Sequence, residues 1–334
     1  MYQLPPLTKQ LSYSAIAVMT SGGDSPGMNP AIRAVVRSAL NNNIKVFGIN
    51  RGYSGLIIGD IFEMDSKSVS NIIQSGGTLL KSDRCEAFHD PAVRKQAATI
   101  LQEKGIEALI VIGGDGSLTG AHLMAVENSY PVIGLPGTID NDVHGTDDTI
   151  GFDTAVNTAI EAIDKIRDTA LSHERLFLVE VMGRNSGFIA TNVGLACGAE
   201  MIIVPEYQIA VESISFTLAT NREEGKGSSG IIVVAEGPEP GLTDQLAGQL
   251  KKLGQEPRVC ILGHIQRGGV PNAHDRILAS CMGATAVQYL LAGSRDIMIG
   301  VKDNKLIEVP LKDVVEHNKK MGTELLDIAH LLHR

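Results

Sequence analysis

Asp140 and Asp142 stand two residues apart in the run Gly134-Leu135-Pro136-Gly137-Thr138-Ile139-Asp140-Asn141-Asp142, directly after the apolar residues Pro131-Val132-Ile133. In an extended segment, side chains at that spacing point the same way. One carboxylate could then hold a metal ion while the other takes a proton. Two further turns set glycines around a single carboxylate: Thr20-Ser21-Gly22-Gly23-Asp24-Ser25-Pro26-Gly27-Met28 and Gly113-Gly114-Asp115-Gly116-Ser117. A turn of this kind between a strand and a helix either presents backbone N–H groups to a phosphate or is simply a tight structural turn. Neither is a Walker loop or a GxGxxG fingerprint. A carboxylate in a turn nearly free of side chains also suits a polyphosphate with Mg²⁺, which keeps its waters and takes one or two carboxylates. Two such turns in one chain point to nucleotide or polyphosphate binding. Arg184, Glu236, His264 and Arg267 each follow an apolar run, where a charged side chain is a better site candidate than one in mid-helix. Taken singly, each also reads as a paired structural charge, and Arg84 as a lone surface arginine.

The elements that must position these residues alternate nearly to the end of the chain. Apolar runs at 15–19, 44–49, 108–112, 176–181, 201–204, 231–235 and 259–262 are apolar throughout, as parallel strands covered on both faces are. Helix-period segments lie between them, so the class is α/β. In an open parallel sheet ligands sit outside the carboxyl ends of the strands. The run from Gly134 onward therefore reads as a loop leaving a buried strand. Asn29 reads as an N-cap with Pro30 at the first helical position. Behind it Ile32, Val35, Val36, Ala39 and Leu40 form an apolar stripe, with Arg33 and Arg37 on another face as a solvated basic pair. Further helices are expected at 118–127, 152–170 and 275–292, the second leaving Arg167 near its end and Arg175 beyond it. A hairpin is expected at 297–309 and a Leu- and His-rich helical segment at the end. The halves around residue 150 share one rhythm. The expectation is two similar three-layer α/β domains with mainly parallel sheets, facing across an active-site cleft.

Composition narrows the classes. With 334 residues, 43% apolar and 20% charged, the chain can build one large or two medium domains with a sizeable core. A net charge of −9 argues against general affinity for nucleic acid or anionic membrane. Cys85, Cys197, Cys260 and Cys281 are scattered without CxxC spacing, as free thiols of a reducing cytoplasm are. No signal-peptide pattern opens the chain and no run is long enough to span a bilayer. The expectation is a soluble cytoplasmic protein.

Taken together, residues 20–37, 113–117, 136–152, 164–175, 180–184 and 263–269 resemble the 6-phosphofructokinase family in its bacterial, ATP-dependent branch. The resemblance runs from about residue 16 to 332. The pair Pro136-Gly137-Thr138-Ile139-Asp140-Asn141-Asp142 and Gly263-His264-Ile265-Gln266-Arg267-Gly268-Gly269 is its most specific part. It implies phosphoryl transfer from ATP to the 1-hydroxyl of fructose 6-phosphate with Mg²⁺, in a homotetramer. It also implies an ATP-binding domain at 14–151 plus 266–312 and a sugar-phosphate domain at 152–265 plus 313–334. By the same resemblance Asp140 is the general base, with Thr138 beside the transferring phosphoryl group. Asp115 and Asp142 hold Mg²⁺. Gly23, Arg84, Cys85 and the turn Gly114, Asp115, Gly116, Ser117 contact ATP. Arg84 and Arg184 offset charge on the phosphoryl oxygens. Ile139, Met182, Gly183, Arg184, Glu236, Ile265 and Gln266 lie along the sugar. His264 and Arg267 grip its 6-phosphate together with Arg175 and Arg258 from a neighbouring subunit.

The resemblance also matches Arg33, Arg37, Arg167, Glu200 and Lys226 to the family's effector site, which revises the solvated reading of the arginine pair. Ser66 and Glu224 stand where regulated members often carry arginine, so weak or altered effector regulation is expected. Pyrophosphate-dependent relatives carry larger residues where this chain has Gly116 and Gly137, which favours ATP as donor. A pyrophosphate-dependent enzyme and a nucleotide-binding regulatory subunit without turnover are the competing readings. The stretch Asp83-Arg84-Cys85-Glu86-Ala87-Phe88 departs from the family's usual pattern there, so affinity or nucleotide preference could differ.

Overall fold

The structure, a computed structural model, describes residues 11–223 and 230–332. The chain runs β1 (Ala15–Ser21), α1 (Met28–Asn41), β2 (Lys45–Ile49), α2 (Gly52–Ile57) and β3 (Ile61–Met64). A 3-10 turn at Glu86–His89 precedes α3 (Pro91–Glu103), β4 (Ala108–Gly113), α4 (Asp115–Asn128), β5 (Val132–Thr138) and β6 (Ile150–Gly151). Then come α5 (Phe152–His173), β7 (Leu176–Val181), α6 (Phe188–Ala196), β8 (Met201–Ile203), α7 (Val211–Glu223), β9 (Gly230–Ala235), α8 (Leu242–Lys252) and β10 (Arg258–Ile261). A second 3-10 turn at Gly263–Gln266 leads to α9 (Ala273–Ala292), β11 (Ile297–Lys302), β12 (Lys305–Pro310), α10 (Leu311–Glu316) and α11 (Glu324–Leu332).

Two compact units result: Met1–Thr154 with Arg267–Lys319, and Ala155–Gln266 with Lys320–Arg334. In the first, the sheet order is β12-β11-β5-β4-β1-β2-β3, with β6 paired to β5. The pairs among β2, β1, β4, β5 and β11 are parallel, and β3 and β12 close the edges antiparallel. Successive residues of β1 divide between the two faces. Ile16 and Val18 pack with Ile32 and Val35 of α1 and Leu278 and Met282 of α9, while Ala17 and Met19 pack with Leu118, Ala121 and Met124 of α4. Each such large aliphatic side chain contributes about 1.5–3 kcal/mol by leaving water. The helices that follow the neighbouring strands β1 and β4 thus leave to opposite faces, which opens a crevice at the carboxyl ends of those two strands.

The second unit has a four-stranded parallel sheet, β10-β7-β9-β8. Leu176, Leu178, Ile232 and Val234 pack there with Ile214 and Leu218 of α7 and Leu246 and Leu250 of α8. Helices α6 and α11 pack with β8, and α6 also with β9. The α/β class with mainly parallel sheets therefore holds in both units, and among the described residues no helix is long and apolar enough to cross a membrane.

Local readings of the sequence change at four places. The segment from Gly134 is strand as far as Thr138, because Leu135 and Pro136 keep register with β4, and Gly137 and Thr138 with β6. Asn29 does not cap α1. Gly27, at φ 111°, makes the entry, and the Asn29 amide donates to Ser75 O at 3.0 Å while its Oδ1 accepts from Leu79 N at 2.6 Å. Helix α4 begins at Asp115 rather than 118, since Ser117 N and Leu118 N already donate to Gly114 O at 3.0 and 3.1 Å. Strand β3 has only four residues with two of them exposed, which left no apolar run to read. The hairpin at β11–β12 turns through Asp303 and Asn304 at φ 51° and 60°, the left-handed pair that a tight two-residue turn requires.

Candidate active site

Register sets the turns after β1, β4 and β5 side by side: Ser21 pairs with Gly113, and Gly113 with Pro136. The approach is close enough to leave little room for side chains. A Cβ on Gly113 would lie 2.5 Å from Ser21 O, one on Gly22 3.0 Å from Ser117 Oγ, and one on Gly114 3.4 Å from the Thr138 Cβ. At Gly23 the space of a Cβ is taken by the Arg267 guanidinium, whose Nη1 would be 2.0 Å away and donates to Asp24 O at 3.4 Å. The N-terminus of α4, with exposed Asp115 and Gly116, is a fixed partial positive charge suited to phosphate. A Cβ on Gly116 would meet nothing within 4 Å, whereas one on Gly137 would start 3.0 Å from Ile112 Cγ2 and 3.2 Å from Met28 Cε.

Arg84 is exposed, on a segment fastened to the first turn. Thr20 Oγ1 donates to Lys81 O at 2.7 Å, Ser82 Oγ to Gly22 O at 2.5 Å, and Gly22 N to Asp83 O at 3.1 Å. Beyond half-buried Cys85, buried Arg94 holds the 3-10 turn by donating to Phe88 O and His89 O, both at 2.8 Å. Its other nitrogens make two 2.6 Å bonds to Glu127, whose carboxyl they hold below the usual range. Sequence spacing gave no sign of Arg94, because its charge partner Glu127 lies 33 residues on and its nearer acceptors are backbone carbonyls.

After β5, Thr138 Oγ1 accepts from Asp140 N at 3.2 Å, and Thr138 O accepts from Thr149 Oγ1 at 2.8 Å. Ile139 and Asp140 are buried and Asp142 is half-buried. Asn141 is left-handed at φ 51°, so the segment is not extended, and the expectation that Asp140 and Asp142 point the same way does not stand. Asn141 Nδ2 donates to Asp147 O at 3.2 Å, and Lys319 Nζ donates to Asn141 Oδ1 at 2.9 Å and to Asp147 O at 3.2 Å. Burial pulls the Lys319 amine down to about 8, against the opposing pull of Asp147, Asp148 and Asp142.

The far side of this segment is tied to α9. Asp275, wholly buried, accepts from Gly151 N and Thr154 N at 2.8 Å each and from Thr154 Oγ1 at 2.5 Å. Burial pushes its carboxyl up to about 6. Asn272 caps α9 by accepting from Asp275 N at 3.0 Å, the role an asparagine takes directly ahead of a helix. His274 Nε2 is bonded to Asp148, which raises the imidazole to about 9. Since that folded value lies above the unfolded one near 6.5, the stability it contributes is complete below about pH 6.5 and lost as pH rises through 9. The thermal midpoint should therefore fall between pH 6.5 and 9.5 by more in the parent than in a His274→Gln variant. Parallel curves would exclude the pair as the cause.

In the second unit, the carboxyl ends of β7, β9 and β10 gather another set. Glu236 N donates to Val181 O at 2.9 Å, Leu262 N to Glu180 O at 3.0 Å, and Glu236 Oε1 accepts from Arg184 N at 2.9 Å. Gly183 sits at φ 142° with Ser186 O only 2.6 Å from where a Cβ would be, so no other residue fits there. Arg184, His264 and Ile265 are exposed, while Met182 is buried. Gln266 is buried too, its Nε2 on Gly263 O at 3.2 Å. Arg175 and Arg258 are exposed at the opposite, amino-terminal end of the sheet, where Arg258 pairs with Phe177. At roughly 3.3 Å per residue, β10 alone separates the two ends by about 10 Å.

Of the residues matched to an effector site, Arg167 donates to Cys197 O at 2.7 Å and lies 3.8 Å from Glu200, which in turn accepts from Ile231 N. Arg33 is half-buried and Arg37 exposed on α1, and Ser66 is exposed after β3. Glu224 and Lys226 lie outside the described residues. All four cysteines are free and half-buried. Among the described residues no three of His, Cys, Asp and Glu gather into a metal cage. A Mg²⁺ ion that arrives with a polyphosphate needs only one or two carboxylates besides phosphate and water. Exposed Asp115 at the start of α4 and half-buried Asp142 after β5 are carboxylates of the type and number such an ion takes.

The phosphofructokinase family profile matches residues 15–290. The chain is 50% identical over 315 residues to ATP-dependent 6-phosphofructokinase 2 of Bacteroides thetaiotaomicron, covering 94% of this chain and 96% of that one. It is 52% identical over 318 residues to ATP-dependent 6-phosphofructokinase 1 of Thermus thermophilus, covering 95% and 98%. Among solved structures, a phosphofructokinase from Saccharomyces cerevisiae superposes with a TM-score of 0.85 at 39% identity, over 91% of this chain and 45% of the yeast chain. A pyrophosphate-dependent phosphofructokinase from Marinobacter aquaeolei gives a TM-score of 0.81 at 25% identity, over 93% and 86%.

Proposed function

This chain belongs to the phosphofructokinase family, and from that premise we propose that it transfers the terminal phosphoryl group of ATP to the 1-hydroxyl of D-fructose 6-phosphate. The products are fructose 1,6-bisphosphate and ADP, and the reaction commits hexose phosphate to glycolysis in the cytoplasm. The observation that carries the reading is the row of three turns, Gly22-Gly23, Gly114-Asp115 and Thr138 to Asp140, at the carboxyl ends of adjacent β1, β4 and β5. The first unit carries the nucleotide and the second the sugar phosphate. Backbone N–H groups of the Gly23 turn and of the α4 N-terminus hold the polyphosphate, with Arg84 and Cys85 alongside. Asp140 takes the proton of the attacking hydroxyl. Arg184 and Arg84 offset charge on the equatorial oxygens, where most catalysis of phosphoryl transfer lies. Glu236, which fixes the Arg184 peptide, orients the sugar together with Met182 and Gly183. When bound at Asp115 and Asp142, Mg²⁺ neutralises charge on the transferring phosphoryl group.

Open space at Gly116 supports ATP over pyrophosphate, because a bulkier residue there would enter the region of the α-phosphate. The test is a coupled assay with fructose 6-phosphate and either Mg-ATP or Mg-pyrophosphate. Faster turnover with pyrophosphate overturns the donor, and nucleotide binding without turnover with either donor overturns catalysis.

The position of Arg175 and Arg258, at the end of the sheet away from His264, supports a site shared between subunits of a homotetramer. Arg258→Ala should raise half-saturating fructose 6-phosphate at least tenfold, the loss of one charge-assisted phosphate contact, with ATP affinity nearly unchanged. Unaltered sugar-phosphate kinetics would remove Arg258 from the site.

A further inference from the structure

We propose that Lys319 is a positioning residue for phosphoryl transfer: its ammonium joins Asn141 to the Asp147 carbonyl and so sets the carboxylates of Asp140 and Asp142 on either side of Asn141. The inference rests on the reading of the site given above.

The 146–148 leg of the segment is a fixed point. Asp147 N donates to Val301 O at 2.7 Å, Val301 N to Thr146 Oγ1 at 3.0 Å, and Asp303 N to Asp147 Oδ2 at 2.9 Å, so β11 and its hairpin hold it in place. The leg that carries Asp140 and Asp142 is different. Its central residue, Asn141, is buried and left-handed, a conformation unfavourable for most L-residues that asparagine tolerates through local hydrogen bonds. Both ends of the Asn141 amide are engaged, Nδ2 on Asp147 O and Oδ1 on Lys319 Nζ. Lys319 also donates to Asp147 O, so one ammonium joins the Asn141 side of the segment to the side held by β11. It reaches this place from the chain beyond α10, 178 residues from Asn141. With Asp142, Asp147 and Asp148 all close enough to act on its charge, it also counters the repulsion of a carboxylate-rich segment. Through its bond to Asn141 Oδ1 the ammonium reaches the residue between the two carboxylates, and this is the route by which it bears on the chemistry.

Misplacing reacting groups by about 1 Å can cost on the order of 10²-fold in rate. In the full-length enzyme, Lys319→Met should lower kcat tenfold to a hundredfold, by that estimate, with half-saturating ATP and fructose 6-phosphate within about threefold of the parent. Lys319→Gln keeps a donor but shortens the reach. It carries the same expectation and serves if the methionine variant does not fold. The reading that separates positioning from bulk stability is a double-mutant cycle with Asn141→Gly, which adopts the left-handed conformation unaided. On that background K319M should change kcat by less than about threefold. A parent that phosphorylates fructose 6-phosphate while K319M and K319Q keep its kcat within twofold overturns this inference alone. So do K319M and N141G effects that simply multiply. A parent with no transfer to fructose 6-phosphate overturns the functional reading, and this inference falls with it.

Discussion

Asp140→Asn should reduce kcat for fructose 6-phosphate phosphorylation by roughly 10²–10⁴-fold, the usual worth of a positioned general base. The substitution keeps size and an acceptor oxygen, so the thermal midpoint should move little. Asp140 follows the last residue pairs of β5 and is buried at 4% exposure, with its N–H on Thr138 Oγ1. A carboxylate in that position is held by the sheet rather than by a flexible loop, which is what a base aligned with one hydroxyl requires. Half-saturating ATP should stay close to the parent value, because the polyphosphate turns at Gly23 and Gly114 are untouched. Initial rates across both substrates check this. A kcat within tenfold of the parent would take the base role from Asp140.

Asp275→Ala should cost about 4 kcal/mol of stability, measured by urea unfolding. Gly151 N, Thr154 N and Thr154 Oγ1 all lose their acceptor at a fully buried position, and each buried unsatisfied group costs roughly 1–3 kcal/mol. Some of that is returned, because the carboxylate is itself strained by burial and rises to about 6. The folded value lies above the unfolded one near 3.9, so the fold binds the extra proton. The parent's stability should fall as pH rises from 4 to 6. An Asp275→Asn variant should lose that dependence and cost less than the alanine. A loss below about 1 kcal/mol for alanine, or the same slope in D275N, would show that the α9 anchor does not bear on stability.

The α/β class, the central strands and the Gly-rich turns were legible because buried parallel strands must be apolar throughout and because glycine marks close backbone approach. The runs at 15–19, 108–112 and 231–235 fall within β1, β4 and β9. Less legible were short-range choices that two local solutions could satisfy. Asn29 is as good a cap by composition as it is a bridge to residues 75–79. The glycines of 113–116 hid the start of α4, since their weak helix propensity is overridden once Gly114 O accepts from Ser117 and Leu118.

What the amino-acid sequence determined by itself was the chemistry on offer: two carboxylates beside Asn141, Gly-rich turns with a carboxylate at strand ends, and arginines after later strands. Residue type and neighbour spacing are local properties, and they survive without the fold. Tertiary structure alone decided which of these groups can act together. It placed Arg175 and Arg258 at the opposite end of the β7–β10 pair from His264. It wound Asn141 left-handed, so that Asp140 and Asp142 are no longer equivalent, and it brought in Lys319 and Asp275 from 178 and over 120 residues away. Such contacts are made by closing long loops, a cost repaid only when the whole sheet and its helices bury their faces together, and no pattern along the chain records them.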